Sequence, residues 1–240
     1  MSLIQINAII SLIVKLDQKT GVLYLSAGTV AFSAIAFELV LATYATFLIG
    51  STIIQYTLVF SVMMFAMGLG SLLSSKFENL AHHVFLLTEF LLSLLSLISI
   101  PLLYWIFSIQ MGTQATLIIL VLLFGILIGL EVPLLNTIRR DSGSLSNILF
   151  FDYLGGFLGG ILFPTVLLPL LGFFRTSATL ALINLLVMLL FLWTFRSSIK
   201  RFYTPILVTT IASLGIALLY LSNGELLRKT LEFKLFGIHS

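Results

Sequence analysis

The sequence predicts an all-α protein, a polytopic transmembrane helix bundle of about seven spans. Two observations carry that prediction. Of 240 residues, 60% are hydrophobic and only 9% are charged, against about 25% charged in an ordinary soluble domain. The apolar residues also fall in long continuous runs. A helix rising about 1.5 Å per residue needs about 20 such residues to cross a hydrocarbon core about 30 Å thick. A β-barrel would also satisfy its backbone in lipid, but it reads as short segments alternating polar and apolar. These runs do not alternate.

Taken in order, residues 1–20 open with an apolar run, 1–14, that is too short to span and is followed by Lys15, Asp17 and Lys19. They are expected to lie in the interface as a half-buried helix. The membrane domain follows over 21–222. Its spans are expected at about 21–48, 54–75, 81–107, 114–137, 149–171, 177–195 and 203–222. Gly50-Ser51, Lys76 to Glu78, Gln110 to Gly112, the polar stretch 139–148, Gly172 to Arg175 and the basic stretch from Arg196 separate them. The tail 223–240 is polar enough to sit outside the hydrocarbon. An inverted three-helix repeat is also expected. Glu38 and Glu131 stand 93 residues apart, and the same offset carries the Gly68-x-Gly70 region towards Gly159 and Gly160. Spans one and four would run in opposite directions, as in the inverted repeats of many transporters.

Charge sets the orientation. Lys15, Lys19, Lys76, Arg139, Arg140, Arg196, Lys200 and Arg201 fall on one side of a seven-span chain, and Arg175, Arg228, Lys229 and Lys234 on the other. The expectation is a multi-pass protein of the cell (inner) membrane with a cytoplasmic N-terminus. No Cys is present, so disulfide and thiolate chemistry is excluded. A net charge of +3 without a basic patch gives no nucleic-acid footprint.

The acids inside the spans are the informative residues. A charged group at the bilayer centre costs at least about 2.5–3.5 kcal/mol on insertion scales, so it faces a partner, a cavity or a proton. Glu38 lies within span one, Glu89 within span three, and Glu131 within span four, two residues before Pro133. Asp152 opens span five, and Gln55 lies early in span two. Two readings stand for these groups: cation or proton sites, or polar pairs that fix helix packing. Asp152 has a third, as a helix N-cap. Gly68, Gly70, Gly125, Gly129, Gly155, Gly156, Gly159 and Gly160 are expected to be helix-packing positions, because small residues four apart let backbones approach closely in lipid. A dinucleotide loop would need a preceding strand in a βαβ unit, which is missing, so no cofactor is expected. His82 and His83 are adjacent and point in different directions on a helix, so no metal or catalytic site is expected.

Several of these residues also carry a family resemblance. Phe37-Glu38-Leu39-Val40, Gly50 through Gln55, and Phe65 through Ser71 resemble the first two spans of membrane-bound spermidine synthases, in the polyamine aminopropyltransferase family. Gly129 through Leu135 resembles the fourth span, and Asp152 through Gly156 with Leu162-Phe163-Pro164 resembles the fifth. The resemblance implies an N-terminal multi-span domain that precedes a soluble, Rossmann-like aminopropyltransferase domain. The tail from Leu231 to Gly237 resembles the linker to that domain. The family's substrate-binding residues lie in the soluble part, so none carries over to this chain. The expected function is therefore a membrane anchor or partner module, inactive alone in aminopropyl transfer. Its expected partners are the lipid bilayer and a soluble aminopropyltransferase domain or subunit. The alternative is a transporter of polyamines or other small organic cations, proton-coupled through Glu38 and Glu131.

Overall fold

The computed structural model describes residues 3–139, 144–196, 199, 210–211, 213 and 215, with the side chains of 3–18 and 144 outside that description. The described residues form six α-helices and no strand. They are α1 (Leu3–Ile49), α2 (Thr52–Ser74), α3 (Ala81–Ser108), α4 (Thr113–Arg139), α5 (Ser144–Leu162) and α6 (Leu168–Thr194). A 3-10 turn, Ser75–Leu80, links α2 to α3, and a π-helical turn, Phe163–Leu167, links α5 to α6.

The connections are short because a few residues take left-handed backbone. Gly50 (φ 84°) and Ser51 (φ 56°) turn the chain between α1 and α2. Gly172 (φ 67°, ψ −178°) breaks α6 near its start. The Thr176 hydroxyl donates across that break to the Leu167 carbonyl at 3.1 Å.

The expected count of seven spans is overturned. Four helical segments are long and apolar enough to cross a membrane: Lys19–Ile49, Thr52–Ser108, Thr113–Arg139 and Leu145–Thr194. The sequence reading counted each apolar run of about 20 residues as its own span. Two of the four segments instead hold two helices each, because the Ser75–Leu80 turn, although it carries Lys76 and Glu78, continues as 3-10 backbone and the apolar Phe163–Leu167 turn continues as π-helical backbone. The expected seventh span, 203–222, and the tail, 223–240, lie outside the described residues apart from 210–211, 213 and 215.

Helix pairing is that of an inverted repeat. α1 packs chiefly on α5, α2 on α4, and α3 on α6, while α3 also packs on α4 and α6 on α1. Exchanging α1 with α4, α2 with α5 and α3 with α6 turns this set of principal pairings into itself. The residue offset agrees. Gly125 on α4 meets Ala66 on α2, and Gly159 on α5 meets Phe32 on α1. An offset of 93 carries Phe32 onto Gly125 and Ala66 onto Gly159.

Two buried clusters fill the bundle. One centres on Phe37 and Phe124, whose rings stack 4.0 Å apart between α1 and α4. The other centres on Phe85 and Phe191, whose ring centroids lie 4.6 Å apart between α3 and α6. Basic residues gather beside the second cluster. Lys19 sits over the Phe195 ring, Arg139 over the Tyr24 ring at 4.7 Å, and the His82 ring lies 5.3 Å from that of Phe195.

Candidate functional site: an acid-lined cavity between the repeats

The closest backbone approaches place the cavity. At Gly129 a Cβ would lie 2.7 Å from the Met67 backbone, and at Gly70 it would lie 3.0 Å from the Gly129 Cα. α2 and α4 are therefore in backbone contact. On the other side of the bundle, a Cβ at Gly155 would lie 2.9 Å from the Gly28 Cα, and one at Gly159 would lie 3.2 Å from Phe32. α1 and α5 are also in backbone contact. Gly156 and Gly160 face Ile35, and Gly68 faces open space.

Between these two seams lies a cavity of about 500 Å³. α1 contributes Ile35 and Glu38, and α2 contributes Met63, Met67 and Ser71. α4 contributes Ile128, Gly129 and Pro133, and α5 contributes Asp152, Tyr153 and Gly156. Ile35 and Ile128 correspond at the 93-residue offset, as do Met63 and Gly156. The cavity thus straddles the relation between the two halves. Its volume falls within the roughly 300–1,000 Å³ typical of ligand pockets.

The polar side chains on the wall are two carboxyls, Glu38 and Asp152, and two hydroxyls, Tyr153 and Ser71. Pro133 has no N–H, so it cannot donate to the Gly129 carbonyl one turn earlier. No Lys, Arg or His is among the lining residues. An apolar cavity with two carboxyls and no cationic side chain suits a positively charged ligand with an apolar chain.

The remaining expected residues fall elsewhere. Glu89 (0% exposed) and Glu131 (3% exposed) are buried behind the cavity wall. Both oxygens of Glu89 and one of Glu131 have no hydrogen-bond partner. Glu131 lies within electrostatic reach of both Glu89 and Asp152. Gln55 is not part of this group. It is buried early in α2 and donates to Gln114 Oε1 on α4 at 3.1 Å. No group of three or more His, Cys, Asp or Glu among the described residues could hold a metal ion.

Sequence reasoning passed over the polar seam between α1, α3 and α6. The Ser33 hydroxyl donates to Asn184 Oδ1, and the Ser177 hydroxyl donates to the Ser96 carbonyl. Ser93, Ser96 and Ser99 recur at helical spacing on α3. Asn184 is the one amide side chain in α6. Both signals were legible.

Comparison with known proteins places this architecture. A polyamine aminopropyltransferase of Oceanobacillus iheyensis is 32% identical over 230 residues, which are 92% of this chain and 44% of that protein. One from Leptospira interrogans is 35% identical over 71% of this chain and 35% of its own length. Polyamine aminopropyltransferase 2 of Streptomyces coelicolor is 36% identical over 71% of this chain and 34% of its own. The chain is homologous to the polyamine aminopropyltransferase family. It spans less than half the length of these relatives. No protein-family model matches the chain, and no solved structure matches it. The homologous part is helical, multi-pass and membrane-embedded. The described residues contain no strand–glycine loop–helix unit of the kind that would hold a nucleoside donor.

Proposed function

We propose that this chain is the membrane module of a polyamine aminopropyltransferase system, anchoring or docking a soluble aminopropyltransferase and making no aminopropyl transfer itself. The observation that carries this reading is the alignment. About nine-tenths of the chain matches less than half of the Oceanobacillus enzyme, and the matching residues are helical where described. Residues 1–20 then form an interfacial segment, 21–222 the membrane domain, and 223–240 a connection towards the soluble partner. The module sits in the cell (inner) membrane with its N-terminus in the cytoplasm. Affinity capture of the detergent-solubilised chain from its native membranes tests this reading. An aminopropyltransferase should be recovered with it, and capture without any such protein or activity would overturn docking.

The cavity favours a second reading alongside the first: the module binds a polyamine or other small organic cation between its two halves. Glu38 and Asp152 supply the negative charge, and Ile35, Met63 and Ile128 the apolar wall. Equilibrium binding of labelled spermidine and putrescine to the chain in nanodiscs tests it. Binding should fall on Glu38→Gln and on Asp152→Asn. Equal binding by both variants would remove the cavity as the site. Uptake into proteoliposomes would extend the reading from binding to transport.

A further inference from the structure

Cation binding in the cavity leaves Glu89 without a role. Its carboxyl is fully buried on α3, and neither oxygen has a hydrogen-bond partner. Glu131, on α4, which packs against α3, lies within electrostatic reach of it and is also buried with one unpartnered oxygen. Asp152, on the cavity wall, lies within reach of Glu131 on the other side. The carboxyls therefore form a chain, from Glu89 in the α3–α4 interior through Glu131 to Asp152 at the cavity. Ser93, four residues beyond Glu89 and on the same helix face, adds a buried hydroxyl that also lacks a partner.

Other charged groups stand further off or on other walls. His82 and His83 lie about two turns from Glu89 along α3. Arg139 lies about two turns beyond Glu131 along α4, its guanidinium over the Tyr24 ring. On α1, Lys19 sits over Phe195 and Glu38 lines the cavity. α2 carries no charged residue, and α6 carries none beyond Arg175. Lys76 and Glu78 are on the exposed 3-10 turn. Two neighbouring carboxyls in a medium of low dielectric do not both ionise readily, because each charge is poorly solvated and repels the other.

We propose that Glu89 and Glu131 share one proton, and that a cation binding at Glu38 and Asp152 expels it through Asp152 into the cavity. A positive charge beside Asp152 stabilises ionised carboxyls along the chain, so the proton becomes the less favoured occupant. The departing proton offsets one unit of the positive charge that the cation brings in, and the ionised carboxyls at Glu38 and Asp152 face the rest. The coupling rests on the cation-binding reading above. The shared proton does not.

The test uses the full chain in nanodiscs. Dicyclohexylcarbodiimide adds to protonated carboxylic acids in apolar surroundings, and peptide mass spectrometry locates the adduct. At neutral pH Glu89 or Glu131 should take the label, no more than one per chain, and added spermidine should suppress it. A pH-indicator dye in weak buffer should report proton release on spermidine binding. Glu89→Gln and Glu131→Gln should bind spermidine with at least several-fold less proton release. No label on either residue of the wild-type chain overturns the shared proton. Label at both residues of one chain also overturns it. Label that spermidine leaves unchanged, while spermidine binds, overturns the coupling and leaves the cavity reading intact. Label with no spermidine binding overturns the cavity reading and the coupling but supports the shared proton.

Discussion

Adding one methyl group at Gly129 should loosen the bundle. Its Cβ would lie 2.7 Å from the carbonyl carbon and Cα of Met67, whereas non-bonded carbons rest at about 3.5–4.0 Å. The obstacle is backbone, so no rotamer change relieves it, and α2 must move from α4 by about 1 Å. A gap of about 0.5–1 Å forfeits about a quarter to a half of each contact's attraction. The neighbouring contacts at Gly70 and Gly125 open with it. In lipid no hydrophobic driving force between helices offsets that loss. Overpacking of this kind costs about 1–3 kcal/mol. Gly155→Ala should behave alike, because its Cβ would meet the Gly28 backbone in the corresponding seam between α1 and α5. Gly68→Ala is the control. It faces open space, and Ala is favoured over Gly in a helix by about 1 kcal/mol. Unfolding by SDS titration in mixed micelles, followed by circular dichroism, reads all three. Midpoints should fall for Gly129→Ala and Gly155→Ala and hold or rise for Gly68→Ala. A Gly129→Ala midpoint equal to wild type, or a Gly68→Ala loss as large, would refute the close-packed seam.

Other outcomes follow from single contacts. Asp152→Asn should weaken spermidine binding by about tenfold or more, since a hydrogen bond to a charged group contributes about 1.5–3 kcal/mol; isothermal titration in nanodiscs measures it. Asn184→Ala removes the acceptor of the Ser33 hydroxyl, but Ser33 keeps the Val30 carbonyl at 3.1 Å. The loss should be small, about 0.6 kcal/mol as for hydrogen bonds between membrane helices, by the same SDS titration. Gly172→Ala forces a side chain into φ 67°, ψ −178°, a region nearly confined to glycine. It should cost about 1–3 kcal/mol, visible as a lowered SDS midpoint. Single cysteines introduced into this Cys-free chain near Lys19 and near Arg139 should label from the cytoplasmic side only, which checks the N-terminal orientation.

The elements were legible because apolar length is a local property. The expected starts and ends of α2, α3 and α4 fall within a few residues of those observed. The number of spans was not legible in the same way. A polar linker marks a boundary in sequence, but the Ser75–Leu80 turn continues as 3-10 backbone in spite of Lys76 and Glu78, and the Phe163–Leu167 turn continues as π-helical backbone through an apolar run. The inverted pairing was visible as two features at one offset, Glu38 with Glu131 and the glycine groups. The structure adds the contacts that give the offset its meaning, Gly125 on Ala66 and Gly159 on Phe32.

The sequence by itself determined that this chain is a membrane protein, because 9% charged residues cannot cover a water-soluble surface, and that it is helical, because its apolar runs are long and continuous. It also determined which acids matter, because each interior carboxyl carries a desolvation cost that must be met somewhere. Only the tertiary structure decided how those acids divide. Glu38 and Asp152 open onto a cavity, Glu89 and Glu131 sit behind its wall, and Gln55 belongs to a separate pair with Gln114. Helical periodicity states which residues share a face. Which face meets which depends on backbone contacts between helices distant in sequence, here the glycine seams of α2 with α4 and α1 with α5.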